Sequence, residues 1–394
     1  MKRFSVILLG ALAMFMASCS KDINPISSSD PDAWMYDETL PVPIMFTTGG
    51  APMTKSIINE VKDMDGKTFG FFAVNGNVAD WSKANGLSMP QNAAATVSMD
   101  NLKDGKVRFA FNEGPYYYDQ TSWDPYTFYG YHAHVAEPDN YGKTVTMHAD
   151  SIFVRTEIGR TDILWGWAKA KTITKNEVEY EGFNARYIRN TQLQPEMNFK
   201  HLTACVSFGA MTKKPQYAVD MTDADVVKIT GVKVLNTVTV AELCVAHKDT
   251  TRQGQFGKLS GVNVPRTGNI AVAKDVDGTV TALDVIISDQ FTSLGQPLFL
   301  YPSEAITVEI EYESVANGVA GMVQKFTSQY TLAPTVADGS AVDGFVPGYE
   351  YKYNFVVYSP EKIVIEATVE PYKSAFGQDG EGNDIYKDVL PDNE

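Results

Sequence analysis

Short runs of β-branched and aromatic residues recur from Val42 almost to the end of the chain, each bounded by Gly, Pro, Asn or Asp. Such punctuation leaves little room for amphipathic helices and fits strands packed as a sandwich or barrel. In the first half the expected strands are Val42–Thr48, Thr68–Val74, Val107–Phe111, Tyr126–Val135, Thr144–Ala149, Asp162–Ala168 and Met197–Ala210. In the second half they are Val226–Leu235, Val238–Val245, Ile270–Val272, Val280–Ile287, Leu298–Tyr301, Ile306–Glu313, Lys325–Leu332, Tyr349–Tyr358 and Lys362–Glu370. Helical periodicity is nearly absent, with only Gln91–Met99 and Ile57–Lys62 suggesting short helical turns.

Turn chemistry supports the strands. Asp104-Gly105 precedes one β run, and Asp277-Gly278 lies between Ile270–Val272 and Val280–Ile287, both as tight hairpins require. Alternation of Tyr129, Tyr131, Ala133 and Val135 puts one face of their strand in a core. A chain of 394 residues exceeds one ordinary core, so two domains are expected. Lys213-Lys214-Pro215 breaks the β pattern near the middle and is set as the boundary, giving bodies at 41–213 and 214–360. No short-period repeat points to a solenoid or propeller.

The N-terminus has the layout of an export signal. Lys2-Arg3 precedes an apolar run from Phe4 to Met16, shorter than the roughly 20 residues a membrane-spanning helix needs. Ala17-Ser18-Cys19 follows, as in a lipobox, so residues 1–18 are expected to be removed and Cys19 lipidated. The alternative is an ordinary secretory signal with an incidental cysteine. Each buried acyl CH₂ contributes about 0.8 kcal/mol, so several chains on Cys19 would give durable attachment to a membrane. Polar, turn-rich residues 19–40 then read as a tether. The formal charge of −15 becomes two units more negative once Lys2 and Arg3 are gone, which disfavours nucleic acid as a partner.

Little in the chain points to catalysis. Walker, G-x-S-x-G, His-Glu-x-x-His and Cys-x-x-Cys motifs are absent, and no cofactor is expected. His132 and His134 share a strand face at a spacing that suits a metal, but no second Cys or His pair lies nearby, so a solvated face is the simpler reading. Asp379, Glu381 and Asn383 imitate a calcium loop, yet Asp384 and Leu390 stand where Gly and Glu belong. Paired carboxylates of a glycosidase cannot be placed from sequence. Aromatic clusters at Tyr116-Tyr117-Tyr118, Trp123 and Trp165-Gly166-Trp167 could stack on sugars or simply fill cores. Cys205 and Cys244 could form a disulfide in an oxidising compartment, two buried thiols being the simpler state.

Several segments, in this order, resemble the fimbrillin-like subunits of type V pili: the lipobox, Pro43-Ile44-Met45-Phe46-Thr47, Phe69-Gly70-Phe71-Phe72-Ala73, the Tyr126 to Tyr131 strand, Asp162-Ile163-Leu164, and Asn198 through Phe208. The resemblance implies an all-β fold of two transthyretin-like sandwich domains in tandem. It also implies lipoprotein export, proteolysis after a basic residue that removes the first strand, and filling of the vacated groove by a strand from another subunit. Lys55 stands where the family usually has arginine, so cleavage there would remove residues 41–55 with Val42, Ile44 and Phe46. Gly49-Gly50-Ala51-Pro52 offers a protease an accessible approach.

At the other end, residues 361–394 form an appendage whose strand carries Ile363, Ile365, Ala367 and Val369 on one face, matching the family's donor strand. The resemblance implies a chain attached to the outer membrane through Cys19, then built into a surface fimbria with other fimbrial subunits as partners, supporting adhesion. The competing reading is a monomeric or tip-located surface lipoprotein that binds glycan or host protein.

Overall fold

The computed structural model describes residues 33–48, 64–103, 106–133, 144–213, 226–257, 265–274, 281–315, 323–334, 344–359 and 362–371. The chain divides into two compact units, residues 1–40 and 41–394. In the first, Ala33–Met35 makes one 3-10 turn, and Asp37 Oδ1 accepts the Thr39 N–H (2.9 Å) and hydroxyl (2.6 Å).

The second unit is all-β. In chain order its strands are β1 (Thr47–Thr48), β2 (Thr68–Asn75), β3 (Ala93–Lys103), β4 (Lys106–Phe111), β5 (Tyr126–His132), β6 (Val145–Met147), β7 (Ser151–Glu157), β8 (Leu164–Lys169), β9 (Ile173–Lys175), β10 (Val178–Tyr180), β11 (Glu196–His201) and β12 (Ala204–Thr212). Then come β13 (Val226–His247), β14 (Gln255–Gly257), β15 (Arg266–Ala271), β16 (Val285–Ile287), β17 (Thr292–Ser293), β18 (Leu298–Leu300), β19 (Ile306–Val315), β20 (Val323–Leu332), β21 (Tyr349–Ser359) and β22 (Lys362–Pro371). Among the described residues one short α-helix, α1 (Ala185–Thr191), and a 3-10 turn at Thr250–Arg252 interrupt them.

Strands β1-β11-β8-β5-β2-β3-β4 close into a barrel. Its interior is aromatic: Phe69 and Phe71 of β2 meet Phe109 of β4 edge-on, and Phe69 also meets Phe199 of β11 at 4.8 Å. The outer face is buried too. Phe72, Val74, Tyr129, Tyr131 and Trp165 pack against Ile152 and Val154 of β7 and Leu243 and Val245 of β13, with the Trp165 indole N–H donating to the Val245 carbonyl at 2.8 Å. Burial on both faces explains why Phe69-Gly70-Phe71-Phe72-Ala73 is continuously apolar.

A second core lies between two facing sheets. One has the order β17-β12-β21-β22, with β18 also on β12; the other runs β20-β19-β13-β7-β6, with β14, β15 and β16 on β13. Phe208, Tyr353 and Phe355 from the first sheet meet Val232, Val234, Val308 and Ile310 from the second. Strand β13, 22 residues long, joins both cores, since its N-terminal half faces Phe208 and its C-terminal half faces Trp165.

Several expected elements differ. Val226–Leu235 and Val238–Val245 fuse into β13, which absorbs the interruption as a bulge around Asn236, whose φ is 51°. Met197–Ala210 splits into β11 in the barrel and β12 in the second sandwich, so sheet membership changes between His201 and Ala204, ahead of the Lys213-Lys214 break. Ile270 and Val285 lie on strands that each pair with β13, so the segments flanking Asp277-Gly278 are not a hairpin with each other; that dipeptide and Asp104-Gly105 lie outside the described residues. The helical turn expected at Gln91–Met99 is instead the start of β3, where the small Ala93, Ala94 and Ala95 pair with Phe71, Gly70 and Phe69. Ile57–Lys62 lies outside the described residues. No helix among the described residues is long and apolar enough to cross a membrane.

Candidate functional site

The segment Val42 to Thr48, whose last two residues form β1, closes the barrel. Side chains alternate along it, with Val42, Ile44, Phe46 and Thr48 all buried. On one side, the Ile44 N–H donates to Tyr116 O (2.8 Å), while the Tyr118 N–H donates to Val42 O and the Phe109 N–H to Phe46 O (both 3.0 Å). On the other, the Thr47 N–H donates to Pro195 O at 3.1 Å, and β1 runs parallel to β11 with Thr47 opposite Glu196. Lys106 of β4 and Glu196 of β11, the strands that flank β1, form an ion pair.

Two features limit the backbone bonds that hold this stave. Pro41 and Pro43 have no N–H, so the segment offers fewer ladder donors than an ordinary central strand. Regular pairing is limited to Thr47 and Thr48, the remainder resting on the bonds just named and a bridge between Pro43 and Tyr117. Hydrophobic contact therefore supplies most of its hold. Phe46 stacks on Phe71 and meets Phe128 and Phe111 edge-on, and full burial of Val42, Ile44 and Phe46 is worth about 1.5–3 kcal/mol each.

The last described strand, β22, forms a hairpin with β21 and is the edge of its sheet, Ile365 facing Phe355 and Val369 facing Tyr351 in the ladder. It is therefore paired within its own chain. Ile363 and Ile365 are only partly buried against the second core, whereas Val364 on the other face is 39% exposed. The backbone at Ala367 and Val369 continues the ladder opposite Tyr353 and Tyr351. Cys19 and Lys55 lie outside the described residues.

The His132 imidazole shares a 2.8 Å hydrogen bond with Thr68 O and packs on Phe69; burial holds its pKa below the usual value. His134 and the calcium-like Asp379, Glu381 and Asn383 lie outside the described residues. No group of His, Cys, Asp and Glu among the described residues is placed to hold a metal. Cys205 and Cys244 are free, buried thiols on β12 and β13. Burial raises both, Cys244 to about 11. Tyr118 and Trp165 are core residues, but Trp123 is 66% exposed.

Two of the segments that carry the resemblance also meet. Asp162, ahead of β8, and His201, at the end of β11, share a fully buried 2.7 Å contact, Oδ2 to Nδ1, and the Thr203 hydroxyl donates to Asp162 Oδ1 at 3.2 Å. The Leu202 N–H donates to Ile163 O at 2.8 Å. The chain is thus pinned where it leaves the barrel for the second sandwich. Sequence order alone gives no sign of this contact.

Among solved structures, the chain is similar to a candidate cell adhesion protein of Bacteroides uniformis (16% identity, TM-score 0.45, covering 84% of this chain and 98% of that one). Another is a candidate cell adhesion protein of Parabacteroides distasonis (10%, 0.43, 85% and 97%). A third is the fimbrial anchor protein Mfa2 of Porphyromonas gingivalis (9%, 0.33, 84% and 98%). Comparison with curated protein sequences found no match. The family model described as fimbrillin-like matches residues 62–371, from just before β2 to the end of β22, and on that match the chain belongs to the fimbrillin-like family.

Proposed function

We infer that this chain is a structural subunit of a cell-surface fimbria, exported as a lipoprotein on Cys19 and polymerised by strand exchange. Cleavage after Lys55 frees the segment that carries Val42, Ile44 and Phe46, and the strand that carries Ile363, Ile365, Ala367 and Val369 of another subunit takes its place. The supporting observation is the N-terminal stave itself: a buried apolar face held by few ladder bonds. The family match is consistent with this role.

Physical chemistry favours the exchange in direction. Ile363 and Ile365 are half-buried where they lie, and a groove emptied of Val42, Ile44 and Phe46 would bury them fully. Each such side chain gains part of the roughly 1.5–3 kcal/mol of complete burial, and the edge strand trades one ladder for another. Leaving β21 costs that hairpin, so exchange requires the groove to be open first. Proteolysis supplies this trigger. Before assembly, lipid on Cys19 holds the subunit at the outer membrane, and Cys19→Ala would move it out of the membrane fraction.

The test is Ile365→Asp, read on unheated gels of cells that make the protein. It is expected to give a folded monomer with a lowered melting temperature and no high-mass ladder, because a carboxylate would be buried in the groove. Val364→Asp, on the exposed face, should leave the ladder intact. A normal ladder from Ile365→Asp contradicts the reading.

A further inference from the structure

Away from the first and last strands, one side of the barrel carries an arginine held between two aromatic rings. The Arg186 guanidinium carbon lies 4.3 Å from the Trp123 ring centroid and 5.1 Å from that of Tyr180. Among the described residues it makes no hydrogen bond or ion pair, so its five N–H donors remain available. Trp123 is nevertheless 66% exposed, the opposite of the core role usual for a tryptophan.

The arrangement is built into the backbone. Tyr126 and Phe183 exchange N–H···O bonds as an antiparallel bridge (3.1 and 3.2 Å), and Trp123 lies three residues before one and Arg186 three after the other, so the register sets them opposite. Asn184 fastens both, its Oδ1 accepting the Tyr187 N–H at 2.8 Å to cap α1 and its Nδ2 donating to Trp123 O at 3.2 Å. Gly182, at φ +69°, lets the chain pass so near Pro125 that a Cβ would lie 2.1 Å from the proline side chain. Tyr180 ends the β9–β10 hairpin, whose Asn176 and Glu177 both have positive φ, as a tight two-residue turn needs.

The nearby acids do not neutralise the arginine. Asp124 accepts from Asn75 Nδ2 (2.9 Å) and Asn77 Nδ2 (2.7 Å), and Glu179 lies on the opposite strand face from Tyr180. Glu181 is exposed beside the site and makes no ion pair with Arg186 among the described residues.

We propose that Trp123, Tyr180 and Arg186 form a binding site for a carboxylate-bearing sugar. A guanidinium fixed by flanking rings matches a carboxylate in a bidentate fork. The exposed indole gives a flat apolar surface for the C–H face of a pyranose ring. The local charge of Arg186 selects acidic over neutral sugars against the net negative charge of the chain, and the aromatic surface selects a ring over a bare carboxylate.

The site is independent of strand exchange, so it is tested on the purified full-length chain as a monomer. Titration calorimetry would use 3′-sialyllactose and a hyaluronan hexasaccharide as the two sources of a sugar carboxylate, with lactose and glutarate as controls. At least one acidic sugar should bind ten times or more tighter than either control. Trp123→Ala and Arg186→Lys should each weaken that binding at least tenfold with an unchanged far-ultraviolet circular dichroism spectrum, while Arg189→Gln should change it less than twofold. The proposal is overturned if no acidic sugar binds better than lactose, if glutarate binds as well, or if folded Arg186→Lys binds like the wild type. The surface position of Arg186 keeps that last variant informative should Trp123→Ala fail to fold.

Discussion

The Phe46 ring stacks on Phe71 inside the barrel, with centroids 4.5 Å apart and planes at 27°. One residue belongs to the N-terminal stave and the other to a central strand, so the contact joins the part proposed to leave to the part proposed to stay. Phe46→Ala removes this stack and the contacts to Phe128 and Phe111, and is expected to destabilise the intact chain by about 3–5 kcal/mol. Urea unfolding of the monomer measures this. Fibres formed after processing should be indifferent to the substitution, because they would no longer contain residue 46.

Asp162 is the acceptor for a buried network at the crossing from barrel to sandwich. Asp162→Ala leaves His201 and Thr203 without it in a site from which water is excluded. The expected cost is about 3–5 kcal/mol, seen as a lower thermal midpoint. Asp162→Asn, which keeps an acceptor for one of the two, should cost less. Equal midpoints for Asp162→Ala and the wild type would show that the crossing is held by backbone bonds alone.

Legibility in the sequence follows burial. Strands with one half-buried face, such as Lys325–Leu332, alternate and are readable within a residue or two. Ser151–Glu157 is hidden because Ile152, Phe153 and Val154 are buried together and leave no alternation. The Ala93–Ala95 run favours helix locally, and pairing with β2 overrides that preference. Of the candidate assembly site, the alternation of Val42, Ile44 and Phe46 is visible, but the pairing of Ile365 with Phe355 is not, since a ladder partner is set by tertiary contact. Arg186 has no sequence signal beyond Asn184 as a helix cap, its place opposite Trp123 arising from the Tyr126–Phe183 register.

Alkaline pH should weaken the fold. Burial pushes the Cys244 thiol from 9.0 up to about 11 and the Tyr129 and Tyr131 hydroxyls from 10.0 up to about 12. The folded state holds these groups protonated where the unfolded chain would ionise them. Their contribution is whole below the unfolded values and is lost as pH rises through the window from 9.0 to about 12. Each tenfold gain in proton affinity on folding corresponds to about 1.4 kcal/mol, so with solvent screening allowed for, the three together contribute on the order of a few kcal/mol. The urea midpoint should fall between about pH 8 and pH 11 as these protons are lost, and an unchanged midpoint contradicts the assignment.

The central claim is that the first stave leaves before subunits join, and the N-terminus of assembled material tests it most directly. Fimbriae sheared from the surface, purified and analysed by intact and peptide mass spectrometry are expected to begin at Ser56, with no peptide containing Val42, Ile44 or Phe46. Lys55→Ala should leave the chain long and unassembled. Polymers that retain Phe46, or that begin at Cys19 with lipid attached, would contradict strand exchange through the vacated groove.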